Sequence, residues 1–232
     1  MPRPFTAAGR AVAGTLFGGL ARVLGTRPLH PAGVAFEAEW VVDEPRVRGA
    51  RVLARRGRRR AYVRFSRGFG LPEPVPELMS MAIKLPDAYG PGRDQDLLLA
   101  ATGERPVLRH VFAWGGNHLD RTYSSVLPFR VGDRTMVLGA APRPPARRRP
   151  GDLPELEAAA AAGELAFDVR VATPSGSWHT VARLEVGRQL REEEESALAF
   201  NSSNAGGGIE PVGFVNRVRD AAYVAAAHGR AA

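Results

Sequence analysis

No cysteine occurs in the 232 residues. That excludes disulfides, thiolate-bound zinc, iron–sulfur clusters and a thiolate-ligated haem, so any metal has to be held by His, Tyr or carboxylate. Lysine is almost as scarce: Lys84 stands alone, and the formal net charge of +8 is carried by arginine. Long apolar runs are missing too. None reaches the ~18 residues that argue for a membrane span, and the nearest, from Phe5 to Leu24, is interrupted by Arg10 and Arg22. With neither cysteine nor a recognisable secretory signal, the expected location is cytoplasmic. Histidine is limited to His30, His110, His118, His179 and His228, not spaced as a local zinc site, although a hairpin would bring His110 and His118 together.

What is present suits a folded protein. The chain is 44% hydrophobic and 24% charged, which is ordinary for a globular domain, and its length fits a single one. Val12, Leu16, Leu20 and Val23 recur at helical spacing, so residues 1–26 read as an amphipathic arm docking on the body or on another subunit. A homo-oligomer is therefore left open, and stable membrane insertion is not expected. Residues 27–232 form the domain proper. Strand character marks Val34–Val42, Ala50–Ala54, Ala61–Phe65, Leu108–Trp114, Ser125–Val131, Arg134–Leu138, Leu165–Val171 and His179–Leu184. Short strands joined by Gly, Pro and Asp turns predict an antiparallel sheet, closed as a barrel or folded as a sandwich. Helices are expected at Val75–Met81, Asp152–Ala162, Arg191–Phe200 and Gly213–His228, and Ala141–Pro150 reads as a connector between two parts of one sheet. The arginine runs Arg55–Arg60 and Arg143–Arg149 read as solvated turns. No aromatic platform, zinc finger or helix-turn-helix accompanies them, so nucleic acid is not an expected partner.

The C-terminal helix carries the most chemistry. At ~100° per residue, Arg219, Tyr223 and Arg230 fall within roughly 40° of one another. Positive charge beside a phenol favours its ionised form, and a phenolate is a competent ligand for ferric iron. An Arg–Tyr pair at this spacing is equally the pattern of an ordinary surface contact. His228 lies opposite the tyrosine, as an exposed helix-end residue. On the strand near Ala61, alternation puts Tyr62, Arg64 and Ser66 on one face and Ala61, Val63 and Phe65 on the other. Such a polar face borders either a polar pocket or water.

Further fragments occur in one order along the chain. Arg27-Pro-Leu-His30-Pro-Ala-Gly33 has the form Arg-x-x-His-x-x-Gly, and Val63-Arg64-Phe65-Ser66 follows it. Phe200-Asn201 and Gly208-Ile209-Glu210-Pro211 then precede Arg219-x-x-x-Tyr223. In this order they resemble the haem catalase superfamily, from about Arg27 to Arg230. The resemblance implies an α+β fold: an antiparallel β-barrel of about eight strands with peripheral helices and a C-terminal haem-ligand helix, in a minimal member without the arms and C-terminal helices of full-length catalases. It implies haem b as cofactor and Tyr223 as the ligand to iron, with Arg219 keeping the phenolate ionised. His30 would be the acid/base residue on the peroxide side and Ser66 the hydrogen-bond partner that fixes its tautomer. Arg27, Arg64 and Arg230 would pair with the haem propionates.

Two departures qualify the resemblance. The Asn-Asn-Thr-Pro phrase of catalases aligns near Ala100-Ala101-Thr102-Gly103-Glu104-Arg105-Pro106, where no amide side chain exists and Thr102 or water is the available substitute. Loss of one preorganised donor commonly costs on the order of a hundredfold in rate. After the ligand, the usual Tyr-Pro-Asp becomes Tyr223-Val-Ala. The expected function is accordingly a peroxidase-like haem enzyme rather than a fast catalase, using hydrogen or organic peroxide and a small-molecule reductant. The alternatives are a catalase-fold haem or ligand-binding protein without peroxide turnover, and a fatty-acid hydroperoxide lyase or isomerase.

Overall fold

A computed structural model describes residues 32–69, 71, 75–144 and 152–212. The expected N-terminal arm and C-terminal helix, and with them Arg27, His30, Arg219, Tyr223 and Arg230, lie outside the described residues.

The described residues form eleven strands: β1 (Ala32–Val42), β2 (Gly57–Arg67), β3 (Glu77–Leu85), β4 (Gln95–Thr102), β5 (Trp114–Gly115), β6 (Thr122–Ser124), β7 (Phe129–Val131), β8 (Arg134–Pro142), β9 (Ala166–Ala172), β10 (His179–Gln189) and β11 (Ile209–Pro211). Two helices, α1 (Leu153–Ala161) and α2 (Glu192–Ser196), and a 3₁₀ turn at Leu108–His110 join them. Antiparallel pairing runs β1–β2–β3–β4–β6–β8–β9–β10 and returns from β10 to β1. Eight strands thus close into a barrel, which removes the exposed edges that an open sheet would leave. β5 adds to β3, while β7 and β11 extend from β8 outside the ring.

Period-two alternation decides what fills the barrel. Phe36, Val63, Phe65, Met81, Ile83, Leu99, Tyr123, Phe167 and Leu184 are buried among one another. Phe65 meets Phe36 edge-on at 6.0 Å and Phe167 at 5.4 Å between ring centroids. The interior is therefore a packed core and not a ligand cavity. α1 is anchored outside the ring by Leu156, Ala159 and Ala160. Its start matches expectation, with the Asp152 carboxylate accepting from the Glu155 amide at 2.9 Å as an N-cap. The connector after β8 leads through α1 into β9, which pairs with β8.

Several sequence expectations need correction. Val75–Met81 is not a helix: from Glu77 onward it is strand, because Met79, Met81, Ile83 and Leu85 alternate inward. Ala50–Ala54 is a turn, not a strand, held where the Trp40 indole donates to the Val52 carbonyl at 3.0 Å. Leu108–Trp114 begins as a 3₁₀ turn and gains strand pairing only at its end. The helix placed at Arg191–Phe200 is confined to Glu192–Ser196. The run Arg55–Arg60 is not wholly a turn, since its second half lies on β2, where Arg58 pairs with Glu39 and Glu185 and Arg60 with Glu37.

An imidazole is among the polar side chains buried in the core. His118 is fully buried, with its Nδ1 2.9 Å from the Tyr123 hydroxyl. That hydroxyl donates to the His118 carbonyl, so Nδ1 carries the proton that bonds the tyrosine oxygen. Burial, with Arg67 nearby, pushes the imidazole down to about 3. An unfolded histidine titrates near 6.5, so below that pH the unfolded chain binds the extra proton and stability falls with a slope of up to about 1.4 kcal/mol per pH unit. His118→Phe keeps the Tyr123-to-carbonyl bond available. Denaturation midpoints between roughly pH 6.5 and pH 5 should fall more steeply for the native chain than for this variant; parallel slopes would show that the buried imidazole is not the group responsible.

Candidate functional site

With the inside filled, the outer face of the barrel carries the candidate site. Pairing aligns its residues in rows across the strands. Gly33, Ser66, Ser80, Ala100 and Ser124 lie side by side on β1, β2, β3, β4 and β6. Strands sit about 4.8 Å apart, so this row is roughly 19 Å wide, and no residue in it is larger than serine. The adjacent row is Ala35, Arg64, Ala82 and Leu98, and beyond it run Glu37, Tyr62, Lys84 and Asp96. Arg64 and Ser66 therefore share the face that alternation predicted. Ser80 was hidden by the helical expectation for Val75–Met81, although Leu78, Ser80, Ala82 and Lys84 alternating with Met79, Met81, Ile83 and Leu85 was a legible period-two signal.

Arg64 crosses from its own row into that of the serines. A Cβ on Gly33 would stand 2.8 Å from the Arg64 guanidinium carbon and 2.6 Å from the Phe65 carbonyl, so only glycine fits beneath it. The Arg64 Nε donates to Glu195 Oε1 at 2.7 Å, drawing α2 against the wall. Of the hydroxyls in the serine row, that of Ser124 is committed to the Arg109 carbonyl and the Val126 amide. Those of Ser66 and Ser80 make no hydrogen bond among the described residues.

One end of the wall is closed by a buried ionic network. The Lys84 ammonium lies 3.0 Å from Asp94 and 2.8 Å from Asp96, which faces it directly across the strands. Asp96 Oδ2 also accepts from the Asn201 amide at 2.7 Å and the Asn204 side chain at 2.9 Å. Burial raises the Asp96 carboxyl above its usual range against the pull of these donors. Burial acts upward on Asp94 too, but the Asp87 amide and Lys84 hold that carboxyl below its ordinary range. The network pins the Phe200–Asn204 segment to the barrel. Gly208 then continues it, its carbonyl accepting from Gly132 at 2.7 Å, and β11 pairs with β7 so that Glu210 meets Arg130. Both phrases expected ahead of the ligand helix are thereby fixed in place.

The other end is apolar. Phe69 and Trp114 stack with 5.6 Å between centroids, both of them exposed. Trp114 pairs with Leu78, two residues from Ser80, and Phe69 lies three residues beyond Ser66.

No protein-family model and no curated relative matches the chain. Solved structures do. A fungal catalase aligns with a TM-score of 0.65 at 11% identity, over 95% of this chain and 62% of its own. A bacterial catalase gives 0.62 at 12%, over 95% and 60%, and catalase A of Saccharomyces cerevisiae gives 0.66 at 12%, over 97% and 65%. This is the catalase fold. The chain spans about three fifths of the length of these catalases.

Within this catalase fold, the outer wall suits a flat, amphipathic macrocycle. The serine row offers a floor of Gly, Ala and Ser, the adjacent row adds Ala35 and Ala82 with Leu98 at its β4 end, and the Arg64 guanidinium, paired with Glu195, stands at the β1 edge of the floor. The departure expected from the sequence is visible too: Ala100 stands two strands from Ser66 in the same row, with a methyl where an amide was sought. Thr102, the substitute that the sequence offered, is buried to 2% exposure, and its hydroxyl has no partner among the described residues. A concavity of about 750 Å³ lies further round the barrel, lined by Glu104, Arg105, Arg109, Arg170 and Trp178, and does not include Ser66 or Ser80. The Arg109 guanidinium is engaged there by the Trp178 ring at 4.3 Å and the Gly176 carbonyl. His110 and His118 do not form a metal pair: the His110 ring faces the Val126 and Pro174 carbonyls while His118 is in the core. Among the described residues no cluster suits a metal ion, and no helix is long and apolar enough to cross a membrane.

Lys84→Met would leave Asp96 buried without its cation. Removing one partner of a buried pair typically costs about 3–5 kcal/mol. The denaturant midpoint of Lys84→Met should drop accordingly, with Lys84→Met/Asp96→Leu recovering much of the loss; equal stability of Lys84→Met and the native chain would remove the network from its structural role.

Proposed function

We propose that the chain is a haem b protein that reduces peroxides at the outer wall, acting as a peroxidase with a small-molecule reductant rather than as a fast catalase. The observation that carries this reading is the floor of Gly33, Ser66, Ser80, Ala82 and Ala100 with Arg64 at its edge, in a barrel of catalase fold. Tyr223 would hold the iron, with Arg219 keeping its oxygen ionised, and Arg27, Arg64 and Arg230 would pair with the propionates. When bound, the group supplies a redox-active iron at which a peroxide O–O bond is cleaved.

The residues of the chain handle the protons. A neutral His30 would take the proton from one peroxide oxygen and return it to the other, so that water leaves; Ser66 would hydrogen-bond the imidazole and fix which nitrogen is free to accept. Ala100 provides no amide to orient the second oxygen, which favours slower turnover. The exposed Phe69–Trp114 stack beside the serine row favours organic peroxides over hydrogen peroxide. A second reading, haem or ligand binding without turnover, draws its support from Ala100 alone. The resemblance also leaves association of the chain with copies of itself as part of this proposal, in a soluble, cytoplasmic protein.

Reconstitution with haem should give a Soret band that Tyr223→Phe shifts and weakens. Peroxide-dependent oxidation of a small donor should exceed that of His30→Ala by about 10²-fold or more, the range of a general acid–base residue. A native rate equal to that of His30→Ala would defeat the proposal.

A further inference from the structure

We infer that Ser80 contacts the substrate as well, donating its hydroxyl to a peroxide oxygen bound over the serine row beside Ser66. The inference rests on the peroxide reading above, and its evidence is the wall itself. Two independent pairings fix the position of Ser80, directly opposite Ser66 on one side and Ala100 on the other. Directly opposed residues hold their Cβ atoms about 4.5–5.5 Å apart. Two serine hydroxyls at that spacing reach a single small ligand atom placed between and above them.

Among the described residues the surroundings offer the hydroxyl no partner. Along its own strand the neighbours on this face are Leu78 and Ala82, and across the strands Ala100 has only a methyl. Of the other hydroxyls nearby, that of Ser124 is occupied by the Arg109 carbonyl and the Val126 amide, and that of Thr102 is sealed from solvent. Ser80 is half-buried, open enough for a ligand to reach. Ser80 is also the one polar residue between Leu78 and Ile83 on this strand. A half-buried hydroxyl with no protein partner among the described residues is free to turn toward a ligand in place of water. A bound peroxide oxygen is such a ligand, and the bond compensates in part for the missing amide at Ala100.

Fluoride provides a test that does not depend on turnover, because it binds ferric haem and accepts hydrogen bonds from neighbouring donors. Haem-loaded native protein, Ser80→Ala and Ser80→Thr would be titrated with fluoride, and their thermal midpoints compared. The inference expects Ser80→Ala to keep the Soret band and midpoint while binding fluoride about tenfold more weakly, the effect of one lost hydrogen bond, with a parallel fall in kcat for peroxide. Ser80→Thr, which retains a hydroxyl, should restore both. Equal fluoride affinity in native protein and Ser80→Ala would overturn the inference while leaving haem binding standing. A native chain that takes up no haem would overturn the underlying reading instead, and the inference with it.

Discussion

Everything on the outer wall depends on the register of β2, β3 and β4. Because side chains alternate with a period of two, a slip of one residue between β2 and β3 would carry Ser80 inward and put Met79 or Met81 beside Ser66. The register is held from both faces. Inside, Phe65 opposes Met81 and Met81 opposes Leu99, so the core is complete in one alignment. Outside, Lys84 opposes Asp96, and any slip would leave two buried charges unpaired. The serine row lies four residues along the same strands from that ion pair. The pair therefore acts on the site through geometry, fixing which small residues stand in line.

A filled barrel also explains why the candidate site is on its surface. Phe36, Phe65, Tyr123 and Phe167 occupy the interior, and the only histidine there among the described residues, His118, is locked to Tyr123 and held neutral by burial. An imidazole so enclosed has neither access to a ligand nor a proton to exchange near neutral pH. His118 is a structural residue despite being the most strongly perturbed histidine in the described chain. A perturbed pKa points to function only where the group also borders open space.

The sequence was legible where one period ran uninterrupted and opaque where composition imitated another element. β1, β2, β8, β9 and β10 were found because alternation runs through residues such as Val63, Arg64, Phe65 and Ser66. α1 was found because Asp152 caps an Ala- and Glu-rich run. Glu77–Met81 was misread because Glu, Leu and Met are good helix formers, a weak preference that burial in the barrel overrides. β4 was missed because Leu97, Leu98 and Leu99 form a run without alternation, as in strands covered on both faces. Arg64 and Ser66 were legible as a face, but no local pattern announces that Ser80 and Ala100 are their neighbours, since that follows only from pairing. The Lys84–Asp96–Asn204 network was hidden for the same reason: its members are distant in sequence, and each looks like an ordinary polar surface residue.

The wall is also asymmetric, and the asymmetry bears on how a ligand would lie. Toward β1 and α2 it offers Arg64, with Glu195 beside it, and toward Lys84 the polar Asn201–Asn204 segment. At the opposite end stand Leu78, Phe69 and Trp114. A flat ligand with carboxylates on one edge and hydrocarbon on the other is therefore oriented by the wall before any metal bond forms, because turning it round would bury charge against the aromatic stack. On the proposed reading, the same gradient would act on a peroxide entering from the Phe69–Trp114 side, holding its apolar portion at the stack while its oxygen atoms advance toward Ser80 and Ser66. On the proposed reading, orientation of the cofactor and approach of the substrate would both follow from one sheet face, polar at one end, apolar at the other, and lined mostly by small residues in between.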